Sequence, residues 1–600
     1  MSLRNMCTLG LALFLSVAAA HAKKEARYVA PVPLTPEQAA LVQKAVDREK
    51  ATVKLIQKST PVVQTYIQNT RPDPKLQTVP VSDQYLLARV DFGKTFTANP
   101  YETHPKSKGF FKGSLKFLGD LTKSFNISYS ATGFMDMMFL DPVSFDQQHY
   151  DFSYVRRDFL GGVRTLVFDV KPKPKEGFGR FFGRIWVEDQ DGNIVRFNGS
   201  YTGNNGEHEV RYFHFDSWRV NVQPDVWLPT AIYVEETQQS EAKNATGFRA
   251  QTYFWGYSLK LPARVTDSES IQVENAQDQS DQSQDVSPLQ AKRQWVSQAE
   301  QNVLDRLTQA GLLAPPSDFD KVLETVTNNI AIGSNLSLPD DIHCRVLLTT
   351  PLESLSIGNT ILLSKGLVDV LPSEEDLAAV LSFQLAHIVL GHHIDTRYAF
   401  NDRLLFPDEA TFTKFNMNHS TSDNQAAAKK ATELFNASVY HDKAGSVGLF
   451  FQALQMREKQ LPFLLTPRLG DSLIKADGTP WLAALTVGAP KLDMDNVTQI
   501  AALPLNSHLK IDPWDDKVVQ LNVKPAPLLN ARDKMQFEVT PIFYRLQRYQ
   551  PPAQAAAATT APAPAPATTA PATTTAAPTT TTPPPPTADA NQAQPPASPQ

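Results

Sequence analysis

The sequence predicts an α+β protein: an antiparallel β-rich N-terminal half, a mainly helical half with a small β insert, and a disordered Pro/Ala/Thr tail. Three observations carry this. From about Val79 to Leu261, β-branched and aromatic residues recur with period two. From about Arg293, apolar residues recur at helical spacing instead. Two stretches, Thr266 to Ser287 and everything from Pro551, have compositions that cannot bury enough surface to offset the entropy of ordering. At 600 residues the chain is too long for one core. The expected divisions are a signal peptide at 1–22, a helical leader at 23–75, a β-rich domain at 76–262, a linker at 263–292, a helical domain at 293–545 and a tail at 546–600.

The N-terminus reads as an export signal. Arg4 precedes an apolar run from about Cys7 to Val17, and Ala20-His21-Ala22 forms a small-residue cleavage site. The run is too short to span a bilayer, and no later stretch approaches the ~18 apolar residues that a spanning helix needs. The expectation is a periplasmic or secreted protein with no transmembrane segment. Cys344 is then the only thiol of the mature chain, and it lies in the apolar run Cys344-Arg345-Val346-Leu347-Leu348. A buried structural cysteine is expected there. The formal net charge of -5 carries no signal for nucleic acid.

Each element has a local cause. Thr35 is a candidate N-cap before Pro36-Glu37-Gln38, with an apolar stripe from Ala39, Val42, Ala45 and Val46. Ile185-Trp186-Val187 and Ile194-Val195-Arg196-Phe197 flank Asp191-Gly192-Asn193, a hairpin signal. Val296, Ala299, Val303, Leu304 and Leu307 mark one amphipathic helix, and Asp318 to Asn328 another. Strands are expected at Arg345–Leu348 and Thr360–Leu363, and a helix from Glu374 to about His393.

That last helix carries the chemistry. Two histidines at i and i+4 share one helix face and can hold one metal, with a glutamate beside the first as base for the bound water. Residues 374–393 read EEDLAAVLSFQLAHIVLGHH, preceded by Asn359–Ser364, Gly366-Leu367 and Ser373. This ordered run resembles the M48 family of zinc metallopeptidases, over roughly residues 293–460. The resemblance implies a zinc metalloendopeptidase fold in the helical domain. It also shows what is replaced. Phe383 stands at the first histidine position, Gln384 at the glutamate, and only His387 remains of the ligand pair. The family's third ligand, a glutamate four residues before an aspartate, aligns with Ser438, the aspartate with Asp442. A single imidazole does not hold zinc in a folded site, and a lost general base costs ~10²–10⁴ in rate. The expectation is therefore a catalytically inactive pseudo-peptidase with no cofactor. Zinc would be the cofactor if the protein were active, through a variant site drawn from His387, His392, His393 and His441. Without metal, His387 and Asp442 are expected as a hydrogen-bonded buried pair.

The β-rich half resembles, weakly, the half-barrels of periplasmic lipoprotein carriers, on the exported helix-then-sheet pattern and on Val226-Trp227-Leu228-Pro229 before a strand. Phe181, Phe182, Trp218, Trp227 and Trp255 are candidates for an acyl pocket, or plain core. Three functions stay open: an inactive peptidase-like protein binding envelope proteins or peptides, an active zinc endopeptidase, and a carrier of lipid or lipoprotein.

Overall fold

The computed structural model describes residues 31–73, 77–93, 97–101, 133–174, 176–177, 179–202, 213–236, 247–257, 288–336, 338, 341–403, 405–415, 417–493, 509–512, 517–520 and 546–549. The stretch read as a signal peptide, most of the expected linker and the chain from 550 onward lie outside the described residues. The class is α+β, with a large antiparallel sheet first and helices with a small sheet after it.

After helix α1 (Pro36–Ile56) come β1 (Val62–Asp73), β2 (Gln77–Asp91), β3 (Thr97–Pro100), a 3-10 helix (Gly133–Met138), β4 (Tyr150–Leu160), β5 (Val163–Pro172), β6 (Phe181–Glu188), β7 (Ile194–Tyr201), β8 (Phe213–Gln223), β9 (Val226–Glu236) and β10 (Gly247–Trp255). The ten strands form one open sheet in the order β3-β2-β1-β10-β9-β8-β7-β6-β5-β4. The Asp191-Gly192-Asn193 turn joins β6 to β7 as expected, with Gly192 at φ +73° and the Glu188 carboxylate accepting the amides of Gln190, Asp191 and Asn193. An open antiparallel sheet with a helix on one face is consistent with the carrier-like half-barrel expected for this half.

Strand β1 falls inside the stretch read as a helical leader, so the β-rich region starts at Val62 rather than near 76. The reason is that β1 is buried on both faces. Val63 and Ile67 face α1, whereas Val62 and Tyr66 face the helical half. Its polar Gln64 is also buried, accepting from the Tyr85 hydroxyl and from Thr350 N at 2.9 Å each.

Helix α1 begins as predicted. Thr35 and Gln38 form a reciprocal capping box with Pro36 in the first turn. Its apolar stripe, Val42, Ala45, Val46, Val53 and Ile56, packs into the core on one face of the sheet. On the same stripe Glu49 meets Arg219 of β8 in a buried two-pronged ion pair, 2.6 and 2.9 Å. Arg219 also donates to Met138 O, which ties the 3-10 helix to the same point.

The second half runs α2 (Pro288–Gln309), α3 (Asp318–Gly333), β11 (His343–Leu347), β12 (Glu353–Ile357), β13 (Thr360–Ser364), α4 (Lys365–Val370), α5 (Glu374–Leu390), α6 (Asp408–Phe412), α7 (Thr421–Ala437), α8 (Ala444–Arg457), α9 (Pro462–Leu465) and β14 (Asp471–Ser472). A pair, β15 (Leu509–Asp512) and β16 (Lys517–Gln520), follows. Helix α2 starts at Pro288, inside the stretch read as linker, because Pro at a first turn costs no hydrogen bond. Strands β11 to β14 make a four-stranded sheet in the order β11-β13-β12-β14. Helix α5 is apolar on nearly every side and buried from Ala378 to His387, which makes it the axis of this half. Ser373 caps its start, and Gly391 at φ +67° ends it, so His392 and His393 lie beyond the helix predicted to include them.

The two halves share an interface. Asp83 of β2 accepts from Phe463 N, Leu464 N and the Tyr66 hydroxyl. Arg89 pairs with Glu409 at 2.9 Å and donates to Ala310 O, and Trp255 Nε1 donates to Gly311 O. Residues 546–549, read from sequence as the start of the tail, return to the large sheet. Leu546 is buried with Trp186 and Trp218, and Arg548 pairs with Glu188 at 2.6 Å. Among the described residues no helix is long and apolar enough to cross a membrane.

Candidate functional site

Helix α5 places Phe383, Gln384 and His387 in the core of the helical half. Phe383 and His387 lie one turn apart on one face, with ring centroids 5.1 Å apart edge to face. Gln384 is fully buried, and its Nε2 donates to Ser354 Oγ of β12 at 2.8 Å. Strand β14 pairs antiparallel with β12 at Glu353 and Ser354, so the chain's own segment covers the strand edge beside Gln384. The stretch of β12 beside the helix remnant is therefore not open to an added peptide strand.

Around His387 the structure gathers three residues that no sequence motif singles out. His419, in the loop before α7, stacks on His387 with centroids 3.8 Å apart and planes 28° apart. Asp471 of β14 accepts from His419 Nδ1 at 2.6 Å through Oδ2, and from His419 N at 2.8 Å through Oδ1. Asn424, in the first turn of α7, donates to Asp471 Oδ1 and to His419 O. One ligand atom from each of His387, His419 and Asp471 can be chosen so that all lie within 4.8 Å of one another, and all three residues are buried. His419 sits 32 residues after His387 and Asp471 another 52 on, in no recognised spacing, so no local sequence signal marked them.

The fate of the other sequence candidates is mixed. Of the four histidines of the variant site, only His392 joins His387, at 3.1 Å between the two Nδ1 atoms. His393 pairs with Glu300 at 2.7 Å, and His441 contacts Ser438 O and Asp442. Ser438 is the C-terminal cap of α7, its hydroxyl donating to Phe435 O. Asn424 and Ser438 are 14 positions apart on that helix, which at 1.5 Å per residue is roughly 21 Å. The end of α7 that borders His387 is Asn424's, not Ser438's. Asp442 is exposed and pairs with His441, so the expected His387–Asp442 pair is not formed.

Burial pushes the His387 imidazole down to about 3, with the neighbouring His419 and His392 adding to the shift. Asp471 and the Asn424 side chain oppose it. His392 is also lowered, chiefly by burial. Both rings are therefore neutral at neutral pH. Burial likewise pushes the Cys344 thiol up to about 12, which suits the structural role expected of it and not a nucleophile.

Zinc as the M48 resemblance implies it does not fit these residues. The first ligand position holds the apolar Phe383 ring, the base position holds an amide already bonded to Ser354, and the residue aligned with the third ligand is at the far end of α7.

The aromatic residues proposed for an acyl pocket do not converge. Phe181 is buried on the α1 face, Trp218 and Trp227 on the opposite face, and Trp255 packs toward the helical half. Strand alternation sends them to different sides. What fills the α1 face instead is Phe134, Met135, Met137, Met138, Phe139 and Leu140, each at most 2% exposed.

No protein family's sequence profile matches the chain, and no curated protein is similar to it. A solved structure of a DUF1329 family protein from Desulfovibrio piger is similar at 14% identity, over 37% of this chain and 94% of that one, with a TM-score of 0.22. A likeness at this score carries no statement about function. The M48 resemblance rests on the run from Asn359 to His393.

Proposed function

We propose that this is an exported, peptidase-like protein that does not hydrolyse peptides and that binds envelope proteins or peptides in the periplasm. Gln384 carries the loss of hydrolysis, and binding would use a surface other than the β12 edge, which β14 covers. Gln384 occupies the base position, is fully buried, and is held by Ser354 where a catalytic carboxylate would need an accessible water. An amide there cannot take a proton from water. The test uses the full chain and a labelled, reduced and carboxymethylated α-lactalbumin as a permanently unfolded polypeptide. Fluorescence anisotropy should rise on mixing, and gel analysis should show the polypeptide intact after prolonged incubation. Cleavage fragments, or no binding at all, would each remove the proposal.

A second reading is favoured by a different observation. The space between α1 and the large sheet is occupied by a methionine- and phenylalanine-rich segment, 133–140, rather than by long strand side chains alone. Methionine is unbranched and adapts to irregular apolar ligands. In this reading the β-rich half carries an acyl chain or lipoprotein, which takes the place of that segment. Native mass spectrometry of the chain purified without detergent would show a lipid adduct. A clean apo mass, with no displacement of a fluorescent fatty acid, would end it.

A further inference from the structure

Three hairpin turns, at residues 161–162, 189–193 and 224–225, lie at one end of the large sheet, because alternate turns of an antiparallel meander share an end. Residues 546–549 lie across them. Leu546 is 1% exposed and belongs to the apolar cluster of Trp186, Trp218 and Trp227 on the sheet's outer face. Its carbonyl accepts from Gly162 N at 2.8 Å. Arg548 donates to Glu188 Oε2 at 2.6 Å, with carboxylate oxygens of Asp189 and Asp191 each at 3.7 Å. Tyr549 N donates to Asn221 Oδ1 at 2.6 Å.

The groups that receive this segment are fixed by their own neighbours. Glu188 accepts from the amides of Gln190, Asp191 and Asn193 and from the Asn193 side chain. Asp189 pairs with Arg164 at 2.6 Å. Asn221 Nδ2 donates to Gln223 O and Val226 O, which fixes the direction of its Oδ1. A site held this way keeps its shape when its occupant leaves, so little ordering cost opposes rebinding. The occupant is held less firmly. Of its four residues Leu546 alone is buried, Gln547 is exposed, and Arg548 and Tyr549 are half-buried.

We propose that this end of the sheet is a binding site for peptides with an apolar residue followed two positions later by arginine, and that Leu546–Tyr549 fills it as an internal competitor. The apolar residue covers the tryptophan cluster, as Leu546 does. The arginine meets the carboxylates at the β6–β7 turn, where a planar guanidinium with several donors suits more than one acceptor. Gly162 N and Asn221 Oδ1 hold the backbone on either side. The residue between the two anchors faces solvent, as Gln547 does, and is unrestricted. Because the competitor belongs to the same chain, a free peptide must overcome its effective concentration. The proposal rests on the peptide-binding reading above and gives it a seat away from the covered β12 edge.

The test uses the full chain with Leu546→Asp and Arg548→Glu together, and a fluorescein-labelled peptide with the sequence of residues 543–552. Fluorescence anisotropy should show saturable binding to the double variant, about 10-fold or more tighter than to the unaltered chain, whose site is mostly filled. The same peptide carrying Arg548→Glu should not bind. Tryptophan emission should shift to the red in the double variant and return when peptide is added. A double variant that folds without binding the peptide overturns the proposal, and so does equal binding by both proteins. A second measurement needs no variant: excess peptide should speed hydrogen exchange at Leu546–Tyr549 of the unaltered chain by displacing the segment. Protection that peptide does not change overturns the proposal. Failure of the earlier reading is distinguishable. Peptide binding without binding of carboxymethylated α-lactalbumin removes the proposed function and leaves this site. α-Lactalbumin binding that excess peptide does not reduce keeps the function and overturns this site as its seat.

Discussion

His387 and His419 stack with ring centroids 3.8 Å apart, although one belongs to a core helix and the other to a loop 32 residues further on. The contact is held from behind. Asp471 comes from a two-residue strand that also covers the edge of β12, so one short segment both orients a histidine and closes the strand beside Gln384. Predictions about this site and about the frame that carries it follow from such pairings.

The carboxylate that would complete a peptidase-like ligand set belongs at Asn424. In the double variant Phe383→His, Gln384→Glu, adding Asn424→Glu should tighten zinc binding, because it supplies the third protein ligand. Adding Ser438→Glu instead should change nothing, because Ser438 caps the other end of α7. Isothermal titration with zinc separates the two. Equal gains from both would contradict the placement.

The Glu49–Arg219 pair is buried, with side-chain exposures of 1% and 2%. Replacing either partner alone by alanine leaves a charge without its counterion, and should cost about 3–5 kcal/mol in urea unfolding. The loss should be largest in the β-rich half, because Arg219 also holds Met138 O. A loss below 1 kcal/mol, by the same general measure, would mean that the pair is solvated.

Asp83 makes the interface between the halves sensitive to pH. Burial pushes its carboxyl up to about 7 from the ordinary value of 3.8. The folded state therefore keeps a proton that the unfolded chain has already lost between about pH 4 and 7. Stability should fall as pH rises through that window, by about 1.4 kcal/mol per unit from this residue, and level off above it. Comparing wild type with Asp83→Asn by urea unfolding from pH 4 to 8 isolates the effect. A parallel pair of profiles would show that Asp83 is not the source.

Cys344 is fully buried beside Thr327, with its thiol pushed up to about 12. It should not react with a disulfide reagent in the native protein and should react fully once unfolded. Rapid labelling of native protein would contradict its place in β11.

Much of the frame was legible because it follows local rules. The Thr35 cap, the Asp191-Gly192-Asn193 turn and the start of the helix at Glu374 each depend on residues within a few positions of one another, whereas the end of that helix at Gly391 falls short of the His393 expected. Strand β1 was missed because its polar Gln64 is satisfied by Thr350, 286 residues away, so its burial has no local mark. The site divides the same way. Phe383, Gln384 and His387 stand in a recognisable run, whereas His419, Asn424 and Asp471 reach them only through tertiary folding. The alignment of Ser438 failed for a related reason: a short motif on a helix can slide by several turns without changing its apolar pattern.

The most direct measurement of the central claim is hydrolysis of an unfolded, fluorescently quenched casein by the full chain, with and without added zinc. The account predicts no release of fluorescence above background in either condition, because Gln384 cannot act as a base whether or not metal is present. Zinc-dependent cleavage that disappears in His387→Ala would contradict it and return the protein to the active peptidases.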